Sequence, residues 1–578
     1  MNGVSWSLAI RTVLIAILAV FSAGPSTAAP AGDFDRLVDR YLAGYYAFRP
    51  GRATQDGVHE HDALLAGFRR EEIAAETARL RSTLTELETL KPAGLDSTRR
   101  VDHAILTAHL QAELLELENV RRWEKDPNYY VDLVSDAIYA LAARSFAPPA
   151  DRMKSVIGRE RMIGTVLASA IENLSNPPRI WTEVAIEQAE GGIEFLKVTV
   201  PEAFSTVADT ALKAEFNAAN DQAIRELQGF VNYLREDLLP ASRGDFRLGP
   251  ELFEKKLQYE AMCEVPLYRL ERYGEEELAN LQKRIELTAA AIEAGKTPRD
   301  LFRVLSTDHP SPARLVPETE RLLESLRQFC VDRNIVTFPS EERVGVRATP
   351  EFMRSYVFAA MDAPGPFETK GREAFYYVTP PAASWDRLTQ DDHMRTYNRY
   401  ALPIVSMHEA YPGHFLQFQW NERTTSKVRK VFGCTSFSEG WGLYCEGMML
   451  DEGYENNDPR YRLFQLRLAL LRTCRYLVGI RMHTGSMTYE QAVDFFMKEG
   501  YQERVNAERE ARRGTSDPTY LVYQLGKMQI LKLREDYKRH RGSQFTLKEF
   551  HDRLLAHGSP PVKLLRTILM PGDKGTVL

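Results

Sequence analysis

Cysteine is scarce: five in 578 residues, at Cys263, Cys330, Cys434, Cys445 and Cys474, widely spaced and odd in number. That excludes a disulfide-rich scaffold and a CxxC metal knuckle, and leaves buried apolar thiols as the expectation. There is no strong excess of charge of either sign, since 80 acidic residues face 74 basic ones for a net charge of −6. Such a balance gives no electrostatic reason to expect a nucleic-acid partner. Glycine (35) and proline (30) are too few for a collagen-like or low-complexity chain, and no fixed-period repeat points to a solenoid. Beyond the first thirty residues no apolar run is long enough to span a bilayer. With 44% hydrophobic and 27% charged residues, what is present is the composition of a large globular protein. At roughly 150 residues per domain the length alone would allow three or four domains.

One apolar run does exist, and it lies at the start. Arg11 precedes Val13 to Phe21, and small residues from Ser22 to Ala31 follow, with Ala29-Pro30-Ala31 in the A-x-A form. A basic start, a short apolar segment and a small-residue processing site are the anatomy of a secretory signal over residues 1–31. The expectation is export to the periplasm or the medium, with no membrane anchor after cleavage. No cysteine lies nearby, which argues against lipid attachment there.

From Asp33 to about Asn334 the pattern is helical. Arg69-Arg70 to Leu90 and Thr98 to Asn119 read as amphipathic helices, the second carrying Val101, Ile105, Leu106, Leu110 and Leu114 at helical spacing. Pro148-Pro149, Pro177-Pro178, Pro201 and Pro240 fall between periodic runs and are expected to bound helices. The aromatic and branched residues from Ala374 to Thr379, closed by Pro380-Pro381, predict a short strand. Helical patterns resume at Met394. A seam is placed near Gly365 to Gly371, giving a helical region over 32–365 and a second region over 366–578 within one integrated architecture.

Chemistry concentrates in the second region. His408-Glu409 is followed by His414 six positions on, whereas the zincin spacing H-E-x-x-H sets two imidazoles on one helical face with the glutamate as general base. Six helical steps leave the two rings roughly 120° apart. A shared metal therefore needs a break between them, and Pro412-Gly413 can supply it. Glu439 follows 25 residues after His414, and Glu446 lies seven further on, on the same helical face. Two histidines and one carboxylate form a Zn²⁺ site that keeps one position open for water. Glu439 is the favoured ligand and Glu446 the alternative, the other carboxylate then orienting a histidine from behind.

His408 to Gln417 (HEAYPGHFLQ) and Glu439 to Glu446 (EGWGLYCE) resemble the two signatures of a large bacterial family known as domain of unknown function 885. That family is grouped with two-His-one-Glu metallopeptidases. The likeness extends more loosely through Ala53 to Gly57, Phe375 to Tyr377, and Asp517 to Lys527. Where many members read H-E-x-x-P-G-H-H, this chain has Phe415 as the last residue. The resemblance implies a mainly α, zincin-like fold, distantly similar to thimet oligopeptidase and angiotensin-converting enzyme. A substrate channel and a small β element before the metal-binding helix go with it. It also implies Glu439 as third ligand, Glu409 as base, and an oxyanion donor from a later helix, with Tyr523 favoured over Tyr520. An edge strand at Tyr376 and Tyr377 would pair with the substrate backbone, and His483 is a further candidate for substrate binding. The implied activity is zinc-dependent hydrolysis of short peptides. A zinc amidase acting on conjugated amino acids is the alternative, and an inactive helical binding protein the third reading. His59, His61 and His393 read as structural. Oligomeric state has no signature in the sequence.

Overall fold

The computed structural model describes residues 30–349, 354 and 358–578, and it is mainly α-helical. The expected signal segment lies outside the described residues except for Pro30 and Ala31, which open the first helix. Among the described residues no helix is long and apolar enough to cross a membrane.

The helices follow the apolar periodicity and start where caps allow. The two expected N-terminal helices span Arg70–Thr89 and Ser97–Leu115, the latter capped by the Asp96 carboxylate, which accepts from Thr98 and Arg99 amides. Behind them α1 (Asn128–Ala143), α2 (Pro149–Asn173) and α3 (Thr210–Tyr233) pack side by side. Pro149 opens α2, where its missing N–H costs nothing. Pro201 and Pro240 mark helix ends as expected, at Ala203 and Ala241. Each follows a wide π turn, Phe195–Thr199 and Leu234–Leu238, and the helix continues through it. A proline lacks the N–H and clashes with the preceding turn, so widening that turn keeps the helix running.

The next elements are α4 (Leu267–Ile292), β1 (Gly345–Ala348), β2 (Ala359–Asp362) and β3 (Phe375–Val378). After them come α5 (Ala401–Glu409), α6 (His414–Glu422), α7 (Thr435–Asp451), α8 (Pro459–Thr484), α9 (Arg504–Ser516) and α10 (Val522–Arg541). Helix α8 is stopped cleanly at both ends. The Asp458 side chain accepts from the Arg460 amide, and Gly485 takes the left-handed conformation (φ 87°) that closes the last turn.

Two large apolar cores divide the chain. One runs from Phe34 to Leu238 and takes in Val428, Val431 and Phe432; the other runs from Phe253 to Met570. The two cores part between Leu238 and Phe253. Helix α4 packs along α8 and belongs with the motif-bearing helices, because Leu270, Leu281, Ile285 and Ala289 are buried in their core.

The expected strand is β3, but two further strands flank it in the order β1-β3-β2. β1 pairs with it in parallel (Val346 opposite Tyr376), and β2 pairs antiparallel (Met361 opposite Tyr376). β3 is thus the central strand and its backbone groups are already used. β2 is the strand beside the helices of the motif, in contact with α5.

Candidate metal centre

His408 sits in the last turn of α5, which ends at Glu409. Residues 410–413 break the helix, and α6 starts at His414. Gly413 is required there, since a Cβ would stand 1.8 Å from the His408 carbonyl oxygen. Trp441, fully buried on α7, donates from Nε1 to the Pro412 carbonyl at 2.9 Å and pins the break in place. Across this break the two imidazoles meet edge to face, with ring centroids 4.8 Å apart.

Helix α7 brings the carboxylates. Glu439 Oε2 lies 3.2 Å from His408 Nε2 and 3.5 Å from His414 Nε2. One donor atom from each of the three residues falls within 4.8 Å of the others, the single such group of metal-binding side chains among the described residues. Ligands about 2.0–2.1 Å from a tetrahedral zinc stand roughly 3.3–3.4 Å apart, so this spacing fits such an ion. Two turns along α7, Glu446 is completely buried and meets the other ring nitrogen, His408 Nδ1, at 2.9 Å. Arg472 Nη2 approaches the same carboxylate oxygen at 3.6 Å. Between the two glutamates Gly442 leaves room for the ring: a Cβ there would lie 2.7 Å from His408 Nε2.

The electrostatics describe a site made for positive charge. Burial alone would push the His408 imidazole down, but its bonds to Glu439 and Glu446 raise its pKa to about 10. Burial would raise the Glu439 carboxyl, yet His408 and His414 hold it well below the usual carboxylate range. A divalent cation would take the place of these protons, so its binding and the protonation of the site compete. Glu409, one residue along from His408, is held above its ordinary pKa by burial, partly offset by the two histidines. Its Oε2 accepts the backbone N–H of Met361 on β2 at 3.2 Å.

Helix α10 supplies the tyrosine. α7 and α10 cross with backbones in contact: a Cβ on Gly526 would stand 1.6 Å from the Ser436 carbonyl oxygen, and one on Gly440 would stand 2.5 Å from Gly526 Cα. No larger residue allows that approach. The crossing places Tyr523, three residues before Gly526, against the site with its ring stacked 6.3 Å from that of His408. Burial raises the phenol above its ordinary pKa, so it is protonated and able to donate at neutral pH.

Other expected site residues lie elsewhere. The Tyr520 hydroxyl is buried without a hydrogen-bond partner among the described residues and packs against Gly514, in a small apolar cluster with Cys474 and Val478. His483 binds the Gly514 carbonyl through Nε2 at 2.8 Å and packs against Phe246 and Phe253; burial lowers its pKa to about 4. It is a neutral structural histidine. Tyr376 and Tyr377 point to opposite faces of β3, as neighbours on a strand must. Tyr376 is fully buried with its hydroxyl 3.3 Å from Ser406 Oγ, and Tyr377 is buried beside Asp362 and Tyr139. An edge-strand role at these tyrosines is therefore corrected: the strand whose N–H reaches the glutamate is β2. Phe415 is buried in the main core, edge-on to Tyr411, and does not compete with His414. His59 bridges Asp62 and Glu368, and His393 meets the Thr379 carbonyl; neither belongs to the group of His408, His414 and Glu439. All five cysteines are free and buried.

The sequence reading missed Met361, which acts through its backbone and leaves no side-chain signature. It also missed Arg472 and Arg475, whose place beside the site depends on how α8 packs.

A family model for a bacterial protein of unknown function (DUF885) matches residues 50–569, and the chain belongs to that family. Comparison with curated proteins gives no match. Among solved structures, one from Shewanella oneidensis, described as "a putative lipoprotein of unknown function", is 27% identical with a TM-score of 0.79. It covers 93% of this chain and 99% of its own. A second, from Colwellia psychrerythraea, titled as a "putative lipoprotein", is 18% identical with a TM-score of 0.76, covers 93% of this chain and 98% of its own, and shares the fold.

Proposed function

We propose that this DUF885-family chain is an exported zinc-dependent peptidase acting on short peptides. The observation that carries the reading is the convergence of His408, His414 and Glu439 donor atoms within 4.8 Å, with Glu409 adjoining the first of them. A zinc ion held by these three residues would supply Lewis-acid polarisation of a scissile carbonyl and acidify a water. Everything else falls to the chain itself. Glu409 accepts the proton of the attacking water at a carboxylate oxygen and delivers it to the departing amine nitrogen as the C–N bond breaks. Its partial burial and raised pKa suit a group that must both take and give that proton. The Met361 amide holds Oε2, which fixes the carboxylate plane and leaves Oε1 for the proton. Tyr523 donates its O–H to the oxygen on which negative charge develops. The edge of β2 beside Glu409, which pairs with no strand among the described residues, is a place for the substrate backbone to add as a further strand.

Export fits the apolar start of the chain, and the description of both structural neighbours as lipoproteins supports it. The test compares wild type with Glu409→Gln for zinc content and for cleavage of an unbiased peptide mixture read by mass spectrometry. Stoichiometric zinc in both, with cleavage only in the wild type, is expected. A wild type that binds no divalent metal sinks the proposal, and one that cleaves acyl-amino-acid conjugates but no peptides moves it to the amidase reading.

A further inference from the structure

Three arginines stand close to the proposed oxyanion donor and its neighbouring histidine, and their charges are not equally committed. Arg472 is turned to Glu446. Arg475 lies over the Tyr523 ring, its Cζ 5.5 Å from the centroid, but is closed by a two-pronged bond to Glu510 at 2.6 and 2.7 Å, both side chains nearly buried. Arg513, on α9, is different. Its Cζ lies 5.8 Å from the Tyr523 centroid and its Nη2 is 3.4 Å from the Tyr523 oxygen, yet its side chain is 41% exposed. It also lies over the Tyr520 ring, 5.9 Å from the centroid, and its one ion-pair partner among the described residues is Asp517, one turn on and itself 37% exposed, which takes Nε and Nη2. Nη1 makes no hydrogen bond among the described residues. An exposed i,i+4 pair of this kind is weak and easily exchanged for a better partner.

We infer that Arg513 is a specificity residue that receives a carboxylate of the substrate on the leaving-group side of the cleaved bond. This rests on the peptidase reading above and adds to it the class of peptide. The scissile oxygen would sit about 2.7–3.1 Å from the Tyr523 hydroxyl. The guanidinium donates to that hydroxyl at 3.4 Å, which sets it at most about 6 Å from the scissile oxygen. An extended chain covers about 3.3–3.6 Å per residue, so the distance corresponds to one or two residues past that bond. The planar guanidinium offers the two-pronged geometry a carboxylate prefers, and the ring face of Tyr523 holds its plane. Because Arg513 donates to the Tyr523 oxygen, the phenolic O–H stays free to donate elsewhere. A free C-terminal carboxylate two residues or fewer from the cleaved bond makes the enzyme trim peptides from their C-terminal end. An acidic side chain at the same place has the same chemistry.

The experiment uses zinc-loaded full-length protein and three N-acetylated tetrapeptides: a free acid, its C-terminal amide, and an amide with glutamate as the last residue. Cleavage is followed in wild type, Arg513→Gln and Arg513→Lys. Binding is measured separately in Glu409→Gln and Glu409→Gln/Arg513→Gln, which leave the peptides intact. Wild type is expected to favour the free acid over the amide by roughly 10- to 100-fold in kcat/KM, the scale of a charge-assisted pair. Arg513→Gln is expected to bring the ratio within about threefold, with Arg513→Lys between. A general disturbance of Tyr523 would lower acid and amide alike and leave the ratio unmoved, so a preserved ratio in Arg513→Gln overturns the inference. So does equal binding of acid and amide to the Glu409→Gln protein. Preference for the glutamate amide over the free acid places an acidic side chain rather than the terminus at Arg513, which overturns the C-terminal trimming mode. If wild type cleaves none of the three while the binding preference follows Arg513, the peptidase reading fails and the carboxylate site stands.

Discussion

His408 Nδ1 and Glu446 Oε1 are 2.9 Å apart, and the glutamate that makes this contact is completely buried. The bond turns Nε2 toward Glu439 and His414, and with an ion held at Nε2 it would leave Nδ1 as the nitrogen that carries hydrogen. Such a carboxylate raises the basicity of a metal-bound imidazole without touching the ion. Replacing it by an amide of the same shape should keep the fold and weaken the metal. Glu446→Gln is expected to lose about 10- to 100-fold in zinc affinity, measured by competition with a chromophoric chelator. Unchanged affinity would remove the carboxylate from the metal centre.

The two tyrosines separate by the same logic. Tyr523 faces His408, whereas the Tyr520 hydroxyl is buried against Gly514 with no partner among the described residues. Tyr523→Phe should lower kcat about 10²- to 10³-fold with little change in KM, as for the loss of one oxyanion donor. Tyr520→Phe should leave kcat unchanged and cost nothing in stability, because it removes a buried polar atom that bonds to nothing. Steady-state kinetics on both variants decide it; equal losses would return Tyr520 to the site.

Much of this arrangement is legible in the sequence, for identifiable reasons. Helices with one apolar face announce themselves by period, as Ser97–Leu115 does. The meeting of His408, His414 and Glu439, with Glu409 adjoining, is legible because these are the side chains a candidate metal group needs, and Pro412-Gly413 marks the break that their spacing requires. The strand at Phe375–Val378 is legible from its branched and aromatic residues, but its place in the centre of the sheet is not. β2 reads Ala-Ala-Met-Asp, with little strand preference, and its contribution is a backbone N–H. The division of cores after Leu238 falls at a helix end, Ala241, that Pro240 does mark, but proline punctuation alone does not tell this boundary from the others. His483 has the side chain of a functional residue and the surroundings of a structural one, and only the packing of Phe246 and Phe253 tells them apart.

Glycines on α7 give a paired prediction. A Cβ at Gly442 would meet three atoms of the His408 ring at 2.7–2.8 Å, while one at Gly447 would find only Gln465 Nε2 at 3.8 Å. Gly447→Ala should therefore stabilise the protein by about 0.5–1 kcal/mol, the ordinary gain inside a helix, with zinc affinity intact. Gly442→Ala gains the same backbone entropy but displaces a ligand ring, so its zinc content should fall sharply. Thermal melts with and without chelator test this: addition of chelator should lower the Tm of Gly447→Ala and leave that of Gly442→Ala almost unmoved.

Far from the site, Glu160 on α2 is 1% exposed and neither carboxyl oxygen has a hydrogen-bond partner among the described residues. Burial alone raises its pKa from 4.5 to about 9. The folded state thus holds a proton that the unfolded state releases above pH 4.5. Stability from this group is fully present below the unfolded pKa and is lost as pH rises through the folded one. The loss is up to about 1.4 kcal/mol per pH unit across that window. Glu160→Met, similar in volume and unable to ionise, should be more stable than wild type, with a gap that widens by up to about 4 kcal/mol between pH 5 and pH 8. Urea denaturation of both proteins at the two pH values measures it. Parallel stabilities would mean that water or a cation reaches the carboxylate and keeps it charged in the folded protein.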